Sequence, residues 1–140
     1  GDLLDRSTAA AKGAGAGGGV GFALLLIGAQ RVSGVMTIAD AIDLSQRLKG
    51  ADLVITGEGS FDFSSRAGKV PHGVAELAGQ ALLPCIVMAG QVVIGSREMR
   101  ALGVEAAYSM IDLVGETNSY GQAGPSLEQL AHRVARNWSR

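Results

Sequence analysis

Apolar residues recur along this chain in two rhythms, and their alternation lays out a fold. Short unbroken runs at residues 52–56 (around Leu53-Val54-Ile55), Cys85 to Ala89 and Ala106 to Met110 have the length and composition of buried strands. Helical spacing lies between and after them. Pro71 suits a first helical turn, and Val74, Leu77 and Ala78 make one face of a helix ending between Gly79 and Leu83. Ser96 is placed to cap a helix over residues 97–102, which Gly103 ends. Asp112 to Pro125 reads as a surface loop. Ser126 then caps a last helix striped by Leu127, Leu130, Ala131, Val134 and Trp138. The order strand–helix–strand–helix–strand–helix predicts an α/β fold, a parallel Rossmann-like sheet with flanking helices and right-handed crossovers.

Residues 1–50 follow a different pattern and are read as a glycine-rich loop with helices, residues 51–140 as the Rossmann-like part. Asp2 to Lys12 is alanine-rich and reads as the end of a helix. The run from Gly13 to Gly19 leads into a helical stretch, Val20 to Gln30, whose segment Phe22 to Ile27 is apolar all round and predicts a buried helix. Gly13 to Gly18 fits GxGxxG, with Gly15, Gly17 and Gly18 as candidate phosphate-cradle positions. A hinge or a close-packed helix start accounts for the same glycines equally well. Thr37 caps a further helix reaching Leu44, on which Asp40 and Asp43 share a solvated face, and Ser45 to Gly50 reads as a connector.

Composition narrows the class. A length of 140 residues suits one domain, and a net charge of −1 offers no basic surface for nucleic acid or anionic lipid. The longest apolar run, Val20 to Ile27, is too short to span a membrane, and no secretion signal opens the chain. Cys85 is the only cysteine, an inert core thiol by its apolar neighbours, which fits a reducing cytoplasm. The 21 glycines lack a collagen-like period and read as tight turns. The chain opens at Gly1 like the interior of a longer protein, so a missing N-terminal part is expected.

The candidate chemistry concentrates between Asp52 and Pro71. Here a strand is expected to break at Gly57-Glu58-Gly59 and to deliver Asp62, Ser64, Ser65, Arg66 and Lys69 to its carboxyl end, where open α/β sheets bind ligands. Gly57 and Gly59 would admit positive φ and a close ligand. Glu58 and Asp62 suit magnesium held together with substrate phosphates, or Asp62 serves as a proton acceptor. Lys69 and Arg66 suit transferring phosphate oxygens, with Ser64 and Ser65 as hydrogen-bonding partners. The helix starting near Lys69 adds its dipole. A purely structural account leaves Asp62 and Ser64 capping a turn, with Arg66 and Lys69 solvated. The stretch is not a Walker A loop, because Val70 follows Gly68-Lys69 and Phe63 stands where that motif needs glycine. His72 and His132 lack partners at metal spacing, so zinc is not expected.

These motifs resemble the bacterial glycerate kinases (glycerate 2-kinase, type I). Gly13 to Gly18 is similar to that family's GAGAAGG segment and residues 52–59 to its DLVITGEG. Asp62, Ser65, Gly68-Lys69, Pro71 and Gly73-Val74-Ala75 follow its D-x-Q-[ST]-x-x-G-K-x-P-x-G-V-A pattern. Met88-Ala89-Gly90 and residues 103–109 resemble its ALAG and GIDAVFSI segments. Ser60 stands where the family commonly has arginine, and Ser64 where it commonly has glutamine.

The resemblance implies the C-terminal portion of a two-domain kinase that phosphorylates D-glycerate with ATP and magnesium, this chain forming one wall of an interdomain site. Asp62 and Lys69 are then the expected catalytic residues, and Asp62 and Glu58 the metal ligands. Gly57, Glu58, Gly59, Ser64, Ser65, Arg66, Gly15, Gly17 and Gly18 would contact substrate or nucleotide. The isolated chain would be inactive without the rest of its protein, and a homo-oligomer is compatible with the sequence. A non-catalytic small-anion or nucleotide-binding module and an inactive fragment are the competing readings.

Overall fold

The structure, a computed structural model, describes residues 6–63 and 69–139. Residues up to Gly34 form one compact unit and those from Val35 onward a second. In the first, α1 (Arg6–Ala10) is followed by a glycine-rich 3-10 turn (Ala16–Gly19) and α2 (Val20–Leu26). Gly13, Gly17, Gly18 and Gly19 all take positive φ, which residues with a Cβ rarely adopt. α2 is shorter than expected, and Val20, Leu24, Leu26 and Ile27 are exposed, which corrects the expectation of a buried helix. Gly28, at φ 91°, stops it: the Gly28 N–H reaches the Leu25 carbonyl and the Ala29 N–H the Leu24 carbonyl. That pair of bonds is a Schellman cap, and it closes the helix before its apolar run can extend.

The second unit is a three-stranded parallel sheet flanked by helices, as the alternation of runs predicts. α3 (Gly34–Ala41) and α4 (Leu44–Arg47) lead into β1 (Val54–Phe61), and α5 (Val70–Gln80) returns the chain to β2 (Cys85–Val92). α6 (Ser96–Ala101) then precedes β3 (Ala106–Ser109). The strands stand in the order β1-β2-β3, with β2 central. On one face Val54, Cys85, Val87 and Ala89 pack with Ala75, Leu77 and Ala78 of α5 and with Met99 and Leu102 around α6. On the other, Ile86, Met88, Ala106 and Tyr108 meet Leu130 and Val134 of α9 (Ala123–Trp138). Covering both faces is what a parallel sheet needs. At the edge strand, however, Ile55 remains 55% exposed. Among the described residues, no helix is long and apolar enough to cross a membrane.

Several boundaries differ from expectation. The connector after α3 contains α4, entered through Asp43 at φ 51°, and Thr37 lies inside α3 rather than capping it. β1 does not break at residues 57–59. It pairs with β2 as far as Ser60↔Gln91 and Phe61↔Val92, and neither Gly57 nor Gly59 takes positive φ. β2 likewise runs through Gly90 and Gln91. Gly95 rather than Ser96 is the N-cap of α6. The expected loop at 112–125 holds α7 (Met110–Val114), α8 (Glu116–Gly121) and the start of α9. Ser109 caps α7 by accepting the Asp112 N–H, and Gly115 at φ 79° separates α7 from α8. Ser126 is no cap: it is buried inside α9 and donates to the Asn118 carbonyl at 3.0 Å. Leu127 falls off the buried stripe and is exposed, while Leu130 and Val134 hold the core.

Candidate functional site

The site is built by the geometry of one strand–helix turn. Side chains alternate along a strand, so Glu58 and Ser60 share the phase of Val54, which packs on the side that α5 covers, and Asp62 follows just past the end of β1. α5 shelters the lower part of that face with Ala75, Leu77 and Ala78. β1 outruns its cover, and Glu58, Ser60 and Asp62 emerge half-buried where the helix begins. Lys69 is the N-cap of α5, with Pro71 in its first turn, and is thereby brought back beside the strand end.

Lys69 Nζ lies 3.9 Å from Glu58 Oε2 and 3.8 Å from Asp62 Oδ1. Both separations exceed hydrogen-bonding distance, so the ammonium is held between two carboxylates by charge. Its side chain is 42% exposed against 14% for Glu58, so each pair contributes no more than about 1 kcal/mol. A cation held this loosely can turn toward an incoming anion at little cost. Asp62 is fixed from its other oxygen: the Ser60 hydroxyl donates to Oδ2 at 3.2 Å, and Gln91 Nε2 on β2 donates to Ser60 Oγ at 3.0 Å.

The structure therefore brings together three of the expected site residues, Glu58, Asp62 and Lys69. Ser64, Ser65 and Arg66 lie outside the described residues. Gly57 is pressed against the Met88 carbonyl of β2, where an added Cβ would collide, whereas Gly59 has open space at that position. Gly15, Gly17 and Gly18 belong to the first unit. A hollow of about 240 Å³ there is lined by Leu24, Leu25, Ala29, Lys12 and Arg31 around Gly13, and none of those three glycines lines it. Sequence reasoning missed Ser60 and Gln91. Their link depends on the register Ser60↔Gln91, which no local spacing discloses.

The donor set suits magnesium only in part. Magnesium takes one or two carboxylates along with substrate phosphates, and Glu58 and Asp62 supply that number. The position between them is held by Lys69, so a metal would sit on an outer face of one carboxylate or displace the ammonium. No group of three or more metal-ligating side chains occurs among the described residues.

A parallel α/β sheet with a lysine and two carboxylates at the carboxyl ends of its strands has the architecture of small-molecule enzymes of the open-sheet class. The chain belongs to the glycerate kinase family, whose profile matches residues 2–139. It is similar to a glycerate kinase of Halalkalibacterium halodurans, 37% identical over 134 residues, covering 94% of this chain and 35% of that one. It is also similar to the glycerate 2-kinase of Escherichia coli K12, 38% identical over 104 residues, covering 74% and 27% of the two chains. A solved structure from Salmonella typhimurium LT2, provisionally designated glycerate kinase 2, superposes with a TM-score of 0.52 at 43% identity. It covers 69% of this chain and 24% of that one. The chain spans about a third of the length of the curated relatives it matches and corresponds to their C-terminal portion.

Proposed function

We propose that this chain is the C-terminal α/β segment of a cytoplasmic kinase that transfers the γ-phosphoryl group of ATP to a hydroxyl of D-glycerate. It forms one wall of a site completed by the remaining two thirds of the protein. The observation that carries this reading is Lys69 poised between Glu58 and Asp62 at the end of β1, in a chain of the glycerate kinase family. In the transfer the substrate oxygen forms a bond to the γ-phosphorus as the bond to ADP breaks. The hydroxyl proton passes to the Asp62 carboxylate. Lys69 turns from its carboxylates toward the phosphoryl oxygens or the glycerate carboxylate, where a fixed positive charge stabilises the transition state. Glu58 would hold magnesium, joined by Asp62 if that carboxylate serves as ligand instead of proton acceptor; when bound, the metal would neutralise charge on the phosphates. Ser64, Ser65 and Arg66, with Gly57 and Gly59, are the further substrate contacts proposed, and Gly15, Gly17 and Gly18 are proposed separately as nucleotide contacts of the first unit.

The rest of the protein has a natural place to join. A parallel edge strand with Ile55 exposed beside Gly57 and Gly59 is an incomplete layer, and a strand or helix from the missing portion would cover it. The test is an ADP-release assay on the full-length protein with a panel of small hydroxy acids. Turnover with D-glycerate that falls at least about 100-fold in Asp62→Asn supports the reading. Ligand-dependent thermal stabilisation without turnover replaces it with a non-catalytic binding module.

A further inference from the structure

A hollow of about 260 Å³ opens beyond the carboxyl end of β3. Its lining includes Tyr108 and Ser109 of the strand, Asp112 of α7, and Leu130, Arg133 and Asn137 of α9. It shares no residue with the Glu58–Lys69 site. Tyr108 and Leu130 pack on the α9 side of the sheet, whereas Glu58 follows the phase of Val54 on the side that α5 covers. The hydroxyls of the hollow keep protons that the fold does not use. Ser109 is only 7% exposed, and its oxygen accepts the Asp112 N–H at 3.1 Å, which leaves its own proton to donate. The Tyr108 oxygen accepts the Trp138 indole N–H at 2.9 Å and likewise keeps its proton. Neither proton has an acceptor among the described residues, and the side chains of Arg133 and Asn137 make no hydrogen bond or ion pair there.

A buried hydroxyl with a proton to give calls for an acceptor, and a guanidinium in the same hollow selects an oxyanion. Asp112 narrows the choice. It opposes a doubly charged phosphate, and its carboxylate accepts from a hydroxyl or an ammonium group. The volume is small enough for one molecule of a few carbons to meet Arg133 and Asp112 together, with Leu130 as an apolar wall. We propose that this hollow binds a small carboxylic acid bearing a hydroxyl or amino group. Arg133, Asn137 and the two hydroxyls hold the carboxylate, and Asp112 holds the second group. The site is separate from the candidate active site and does not rest on the kinase reading.

The experiment is titration calorimetry on the full-length protein with L-alanine, L-lactate, propionate and inorganic phosphate as probes. The expected result is that L-alanine or L-lactate binds with a Kd below about 1 mM, and propionate and phosphate at least about fivefold more weakly. Arg133→Met weakens that binding about tenfold or more, and Asp112→Asn removes the advantage over propionate. Both positions are exposed, so thermal unfolding of the two variants should stay within about 2 °C of wild type. Lys69→Met leaves the binding unchanged, which separates this hollow from the site at the end of β1. Absence of binding by both L-alanine and L-lactate overturns the proposal, as does binding that survives Arg133→Met or is lost in Lys69→Met. Phosphate binding more tightly than either acid overturns it in favour of a phosphate site. Failure of the wild-type protein to phosphorylate glycerate would remove the kinase reading and leave this result standing.

Discussion

Gly57 on β1 faces the carbonyl oxygen of Met88 on β2 so closely that a methyl group would overlap it. Gly90 repeats the contact two residues further on, where an added Cβ would lie 2.5 Å from the Gly59 carbonyl. These two glycines hold β1 and β2 together at the level of Glu58 and the Ser60–Gln91 pair. Gly57→Ala should therefore cost roughly 2–4 kcal/mol, because backbone on a central strand cannot yield cheaply. Gly59→Ala, directed into open space, should cost less than about 1 kcal/mol. Chemical denaturation of the two variants compares them directly, and equal losses would contradict the packing role of Gly57.

Lys69 should behave as a functional rather than a stabilising charge. Its ion pairs lie at 3.8 and 3.9 Å on a side chain 42% exposed, so Lys69→Met should change folding stability by less than about 1 kcal/mol. Loss of a charge directed at a transferring phosphoryl group should lower kcat about 100-fold or more in the full-length protein. Unchanged turnover with reduced stability would make Lys69 a structural counter-ion to Glu58 and Asp62.

The strand–helix alternation was legible because aliphatic runs of strand length are separated by helices with clear faces, as in Val74, Leu77 and Ala78. The ends of elements were not. Gly57-Glu58-Gly59 has the local chemistry of a turn, yet pairing with β2 keeps it in the strand, a tertiary preference that overrides propensity. The segment after Asp112 carries loop-like residues, but Ser109 caps one helix there, and the Asn118 amide donates to the Val114 carbonyl beside the next. In α2 the apolar run indicated a capacity for burial without identifying a partner, and Leu24 and Ile27 are exposed. The charges of the site were visible as a cluster between residues 58 and 69. The link to Gln91, 31 residues beyond Ser60, exists only through sheet register.

Cys85 offers a pH-dependent test of core integrity. Its side chain is buried at the start of the central strand, and burial pushes the thiol up to about 11 from an ordinary value of 9.0. The unfolded chain thus releases this proton near pH 9, while the native chain keeps it until near pH 11. Between those values the unfolded state binds fewer protons, and stability falls as pH rises. The full difference amounts to about 2–3 kcal/mol. Urea unfolding at pH 8 and pH 10.5 should show a steeper loss in wild type than in Cys85→Ala, whose baseline is lower but flatter. Parallel pH profiles would show that the buried thiol does not contribute.

Trp138, the only tryptophan, donates its indole N–H to the Tyr108 hydroxyl oxygen at 2.9 Å, tying the end of α9 to β3. Leu130 and Val134 already bury the middle of the helix against Ile86, so the indole secures its last turn. Trp138→Phe removes the donor and part of the packing, for an expected cost of about 1–3 kcal/mol, whereas Tyr108→Phe removes only the acceptor and should cost about 1 kcal/mol. If the bond itself matters, the double variant should be less destabilised than the sum by about 0.5–1.5 kcal/mol. Circular dichroism is the suitable readout, because the fluorophore is lost with Trp138. Additive losses would assign the docking of α9 to apolar burial alone and leave the hydrogen bond without energetic weight.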